Sequence, residues 1–106
     1  MKKVTDLNKG DICYCLDEYG VVSKMYVNHI TMKSKSEFDV RLVSKTFDII
    51  TVNMEKHNTV FDYEKVNISF FGDEKIRYVV FLNKEEVIGH LNEITENINN
   101  SIKLLS

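Results

Sequence analysis

The sequence contains no proline and no tryptophan, and it has four glycines and two cysteines among 106 residues. Without proline, the turns have to be built from Gly, Asn, Asp, Ser and Lys. No run of 18 apolar residues occurs, and the basic start Met1-Lys2-Lys3 is not followed by the apolar stretch of an export signal. We therefore expect a cytoplasmic protein with no membrane segment and with reduced thiols.

The chain also lacks a strong charge of either sign. Its formal net charge is -2, with 8 Lys/Arg and 7 Asp/Glu in residues 1–53 and 6 and 9 in residues 54–106. A protein that binds duplex DNA normally shows a clear basic excess, and a protein that imitates DNA is much more acidic. The charge balance disfavours both classes.

Length and composition predict one globular domain spanning residues 1–106. Hydrophobic residues make up 43% of the chain and charged residues 28%, which is typical of a folded protein rather than a disordered one. A domain this small has little room for the deep cleft between lobes in which many enzymes hold substrate. No catalytic or phosphate-binding motif is present, so we expect a protein that is not an enzyme and that uses no cofactor.

Residues 10–82 predict a small barrel of about five to seven antiparallel strands. Segments rich in Val, Ile, Tyr, Phe and Thr alternate with polar turns, as in all-β domains. Closure into a barrel removes the unpaired edges that an open sheet of this size exposes. The predicted turns are 17–20, 33–36 and 70–75. The predicted strands are 12–17, 21–32, 37–43, 46–53, 58–63, 66–71 and 76–82.

A C-terminal amphipathic helix is predicted over about 84–104. Asn83 suits the N-cap position, and Glu86 lies three residues later, as in a capping box. Apolar residues then recur at helical spacing. They are Val87, Leu91, Ile94, Ile98, Ile102 and Leu105.

The barrel is too short to cover the whole helix. The distal part either packs on a second chain, with Ile94, Ile98, Ile102 and Leu105 as oligomerisation residues, or frays because Asn97, Asn99, Asn100 and Ser101 are poor helix formers. A homodimer through this helix is one expectation.

The pair Cys13 and Cys15 is the one local pattern that suggests metal or redox chemistry. Residues two apart on a strand have Cα atoms about 6.5 to 7 Å apart, at the upper limit for a disulfide. A zinc site needs two more ligands, and the three histidines, His29, His57 and His90, are scattered. We therefore predict that both cysteines face the barrel interior, and we predict no metal site.

Two segments resemble a known group of proteins. They are Val4-Thr5-Asp6-Leu7 with Lys9-Gly10-Asp11 at the start, and Val80 to Val87 with His90-Leu91 at the end. These segments resemble small SH3-like barrel proteins of bacteriophages and mobile elements in low-GC Gram-positive bacteria. The resemblance implies an SH3-like barrel closed by a helix. It also implies a phage or mobile-element protein acting in the host cytoplasm by binding a host protein, with inhibition of a defence nuclease, as in anti-CRISPR proteins, as one form.

Three functions remain open from the sequence. Host-protein binding is the leading one, with Tyr19, Tyr26 and Tyr63 as candidate anchors, because aromatic residues with a polar end often anchor interfaces. Nucleic-acid binding is the alternative, and an oligomeric assembly component is the third. The candidate nucleic-acid residues are Lys24, Lys33, Lys35, Arg41 and Lys45.

Overall fold

The computed structural model describes all residues, Met1–Ser106, as six antiparallel strands followed by one helix. This confirms the predicted mainly-β class with a C-terminal helix. A single 3-10 turn, Val4–Asp6, precedes the first strand. The elements are β1 (Ile12–Asp17), β2 (Val22–Met32), β3 (Glu37–Val43), β4 (Ile49–Glu55), β5 (Val60–Ser69), β6 (Gly72–Phe81) and α1 (Lys84–Leu105).

The six strands form one sheet in the order β4-β3-β2-β1-β6-β5. The sheet curls until its two edge strands, β4 and β5, touch without forming a hydrogen-bonded pair. The result is a nearly closed barrel, as predicted. A bulge between Val27 and His29 shifts the β2–β3 register, and such bulges increase strand bending.

The barrel interior is apolar because alternate residues of each strand point inward. The pattern is clearest in β4, where buried and exposed residues alternate along the strand. Cys13 and Cys15 belong to this interior, which confirms their predicted position. The largest fully buried side chains are Leu42, Met54, Val27, Val40, Val52, Val80 and Cys13.

Helix α1 covers the outer face of β1 and β6. Val87 is buried with Leu16 and Phe81 in a second cluster, against which Leu91 and Ile94 pack. β6 therefore has apolar residues on both faces, with Val80 in the barrel interior and Phe81 beneath the helix. No helix in the structure combines the length and hydropathy needed to cross a membrane.

Two predicted strands are one strand in the structure. The segments 58–63 and 66–71 form the continuous strand β5, and the turn predicted at 70–75 is a tight loop at Phe70-Phe71, after which β6 begins at Gly72. The two predicted strands were separated at the polar pair Glu64-Lys65, but cross-strand pairing over ten residues overrides the low strand preference of these two residues.

Asn83 occupies the predicted N-cap position, but its side chain makes no capping hydrogen bond. Instead, Asn83 Oδ1 accepts from the Lys2 backbone N–H at 2.7 Å, and Nδ2 donates to the Lys2 carbonyl at 2.9 Å. Asn83 Nδ2 also donates to Glu86, whose carboxylate accepts from the Thr59 hydroxyl. The predicted capping box is therefore wrong: these side chains hold the N-terminal segment and the β4–β5 loop against the helix start.

Candidate interaction surface

The β5–β6 hairpin extends beyond the barrel. β6 pairs with β1 only over its last four residues, Tyr78 to Phe81. It pairs with β5 along its whole length, up to the pair Ser69–Gly72 next to the loop. Residues 64–77 consequently form a two-stranded ribbon without a third strand. We refer to this ribbon as the arm.

The tip of the arm is apolar and exposed. Phe70 and Phe71 form the two-residue loop, with rings packed edge to face at a centroid distance of 5.7 Å. Their side chains are 98% and 97% exposed, and Ile68 nearby is 84% exposed. Gly72 follows at φ 121°, a conformation that residues with a Cβ rarely adopt. The Ser69 hydroxyl donates to the Gly72 carbonyl at 2.6 Å, so the loop has a defined shape.

Several polar contacts lie along the base of the arm. The Arg77 backbone N–H donates to the Glu18 carboxylate at 2.9 Å, which ties the arm to the β1–β2 turn. Arg77 and Lys75 each lie within 4 Å of the Glu64 carboxylate, at 3.7 and 3.8 Å. These pairs are exposed, and such pairs contribute about 0 to 1 kcal/mol each. The arm is therefore held mainly by its backbone ladder and by its junction with the barrel.

An acidic cleft of about 490 Å³ lies at the arm base. Its carboxylates come from the end of β1, from the β1–β2 turn and from β5, and Arg77 is its one basic residue. Tyr78 lines the cleft, and the pKa of its hydroxyl is raised by burial first and by the charges of Asp17 and Asp48 second. The cleft residues are Leu16, Asp17, Glu18, Asp62, Tyr63, Glu64, Arg77, Tyr78 and Val79.

A smaller cavity of about 150 Å³ opens at the barrel mouth, between Cys15, Ile50 and Lys65. Two of its hydroxyl groups already have partners, because Ser44 Oγ lies 3.0 Å from Thr46 Oγ1 and Thr46 Oγ1 donates to Asp48. Those bonds shape the β3–β4 turn. No three His, Cys, Asp or Glu side chains lie close enough together to hold a metal ion.

The three candidate anchor tyrosines lie in different environments. Tyr19 is 85% exposed in the β1–β2 turn. Tyr26 is half-buried on β2 and is paired with Ile12 and Val43. Tyr63 is half-buried, packs against the core and lies 6.3 Å from the Tyr78 ring. The structure brings none of them to the arm tip.

The candidate nucleic-acid residues do not form one continuous surface. Lys33 and Lys35 lie in the β2–β3 turn, and Lys45 lies beyond the other end of β3. The Lys33 ammonium lies 3.3 Å from the Asp39 carboxylate, so the positive charge of Lys33 is partly neutralised. Lys24 is paired with Tyr14 on β1, and Arg41 with His29 on β2.

The sequence predicts Phe70-Phe71 both as the end of a strand, 66–71, and as the start of a turn, 70–75. The structure confirms the turn and places the pair in the loop of a long hairpin. Strand propensity alone cannot distinguish a strand from a loop at these two residues, because the length of the β5–β6 pairing decides where the chain reverses. No protein-family model, curated protein or solved structure matches this chain.

Proposed function

We propose that this protein is a non-enzymatic binding module that engages another protein through the tip of its arm. The observation that carries the proposal is the exposure of three large apolar side chains, Ile68, Phe70 and Phe71, at the end of an ordered ribbon. Single exposed apolar residues are ordinary on protein surfaces, but a contiguous apolar group often marks an interaction site.

The chemistry of the tip fits an interface centre. Aromatic side chains provide large contact areas with few rotatable bonds, and they are common among the residues that dominate binding energy. The residues next to the tip are polar, with Ser69 on one strand and Asp73 and Glu74 on the other. An apolar centre surrounded by polar groups is the usual arrangement of a protein interface.

The shape of the arm supports insertion rather than flat docking. A two-stranded ribbon with a two-residue loop presents a narrow end, so the rings of Phe70 and Phe71 fit an apolar pocket or groove on the partner. The turn geometry at Gly72 orders the loop before binding, which lowers the entropy cost of association.

The proposed partner is a host protein, and inhibition of a nuclease-based defence is the most concrete form of the proposal. Both details come from the resemblance of the chain ends to phage SH3-like barrel proteins. The mechanism is steric: the arm occupies a surface that the target needs for nucleic acid or for a conformational change.

The test compares three immobilised proteins exposed to host lysate: the wild type, Phe70→Ser/Phe71→Ser, and the control Tyr19→Ser/Phe47→Ser. The control removes two aromatic residues that are 85% and 83% exposed in other turns. We expect one protein to be captured by the wild type and the control. With that protein purified, calorimetry should show Kd for the tip variant raised by at least about tenfold. Equal affinity for all three proteins would contradict the proposal.

A further inference from the structure

The distal half of helix α1 has no partner in its own chain. Val87 is buried against the barrel, and Leu91 and Ile94 are half-buried. Ile98, 53% exposed, begins a continuation of the same stripe on which no barrel residue packs. The continuation, which we call the distal stripe, consists of Ile98, Ile102 and Leu105.

This half of the helix is also a weak helix in its own right. Asn97, Asn99 and Asn100 have low helix propensity, and the hydroxyls of Thr95 and Ser101 bond back to carbonyls four residues earlier. No ion pair stabilises it. Isolated helices shorter than about 12 to 15 residues are marginal in water even with better sequences. The local sequence favours the helical conformation of this half only weakly, so burial of the distal stripe would stabilise it.

We propose that the distal stripe packs antiparallel against the same stripe of a second copy of this chain. The charge pattern favours a second copy, because a two-fold interface places each patch against itself and would bring like charges together. At 100° per residue, the stripe is bordered by neutral side chains, Thr95, Asn97, Asn99 and Ser101. The charged residues of this half, Glu96 and Lys103, lie on the opposite face.

The fold of the monomer determines the antiparallel orientation. Val87, Leu91 and Ile94 lie on the same side of the helix as the distal stripe, and the barrel occupies that side. In a parallel pair, the first half of the partner helix would lie alongside Val87 to Ile94 on the side that the barrel occupies, and it would overlap the barrel. In an antiparallel pair, Ile98 of each copy lies near Leu105 of the other, and the partner helix continues past the end of the first.

The size of the stripe predicts a weak dimer. Three residues with the observed exposures offer roughly 400 Å² per copy, so about 800 Å² is buried in total, below the roughly 1,200 Å² of stable specific interfaces. The association therefore depends on concentration. Dimerisation through the helix does not involve the arm. An experiment can therefore contradict the dimer without contradicting the proposed binding through the arm tip, and the reverse is also true.

Sedimentation equilibrium tests the pairing over about 1 µM to 1 mM, the range expected for a small interface. We expect the mass to rise from 12.4 kDa towards twice that value as concentration increases. Ile98→Asp/Ile102→Asp should keep the mass at 12.4 kDa throughout. These side chains do not pack on the barrel, so the variant still folds.

Two controls separate the stripe from other surfaces. Asn100→Asp adds a charge on the opposite helix face, and Phe70→Ser/Phe71→Ser changes the arm tip; both should associate like the wild type. A mass of 12.4 kDa at every concentration for the wild type would overturn the proposal. Association that persists in Ile98→Asp/Ile102→Asp would also overturn it.

Disulfide cross-linking tests the orientation. In an antiparallel pair centred between residues 101 and 102, two Ser101 positions lie about 1.5 Å apart along the axis, and two Asn97 positions about 13.5 Å apart. Ser101→Cys should therefore form a cross-linked dimer on mild oxidation, whereas Asn97→Cys should not. Equal cross-linking of both variants would show that the helices do not pair in this register, and it would overturn the antiparallel arrangement, as would the absence of a Ser101→Cys cross-link.

Discussion

The two thiols of β1 illustrate how burial controls chemistry at the scale of a single residue. Cys13 and Cys15 point into the barrel, where Cys13 is registered with Met25 and Cys15 with Val80. Burial raises the pKa of Cys13 to about 11 and that of Cys15 to about 12. Because the thiolate is the reactive form, both residues are inert at neutral pH and act as small apolar side chains.

These raised pKa values predict a loss of stability in alkali. The ordinary thiol pKa is 9.0, so above that pH the unfolded chain releases thiol protons before the folded chain does. The thiol contribution is fully present below pH 9 and decreases until the pH passes the folded pKa values, about 11 and 12. The loss is about 1 kcal/mol per thiol for each pH unit in this window. Urea unfolding between about pH 8 and pH 10 measures it.

The control for this prediction is Cys13→Ala/Cys15→Ala. This variant should be less stable at pH 8 because it leaves small cavities, but its stability should change less with pH. An equal decrease between pH 8 and pH 10 in both proteins would contradict the assigned cause.

At the scale of elements, the arm and the helix both extend beyond the packed barrel, but for different reasons. The arm is ordered by the last six of the ten registered β5–β6 pairs, which end at the Phe70-Phe71 loop. The helix is anchored at its first turns by Val87 and by the Asn83 contacts with Lys2. In each case, the part far from the anchor presents apolar side chains to solvent.

The glycines of these two elements predict opposite effects of the same substitution. Gly72→Ala should destabilise the arm by about 1 kcal/mol because alanine is strained at φ 121°. Gly89→Ala should stabilise the protein by about 0.5 to 1 kcal/mol, because Gly89 lies in the helix and an added Cβ meets nothing within 4 Å. Hydrogen exchange of the amides of residues 66–75 measures the first effect, and urea unfolding measures the second. Equal signs for the two substitutions would contradict the backbone assignment.

At the scale of the whole molecule, the shape is more extended than the chain length requires. The radius of gyration is 15.7 Å, whereas a compact domain of this length has a value of about 13 Å. The arm and the distal helix account for the difference. Stability should therefore depend on the barrel core and hardly at all on the projecting parts.

Two truncations to alanine test this division. Leu42 is fully buried, so Leu42→Ala should reduce the free energy of unfolding by about 2 to 5 kcal/mol through lost burial and an internal cavity. Ile68 on the arm is 84% exposed, so Ile68→Ala should change it by less than about 0.5 kcal/mol. Chemical denaturation with an unchanged m value checks both numbers. Comparable losses for the two variants would mean that the arm is part of the folded core.

The barrel and the helix could be predicted from local patterns. These patterns depend on residues that are close in sequence, and they encode which side chains point inward. They include the alternation in β3 and β4, the two apolar faces of β6 and the helical stripe that begins at Val87. The interior position of Cys13 and Cys15 followed from the same rule.

The candidate site depended on the tertiary structure. The amino-acid order determined a barrel wall of short apolar strands and an amphipathic helix, because each needs only neighbouring residues. It did not determine that β5 and β6 pair over ten residues while β1 pairs with only the last part of β6, because that length is decided by contacts between distant segments. Those contacts placed Phe70-Phe71 at an exposed tip and directed Asn83 to Lys2 rather than to the helix amides.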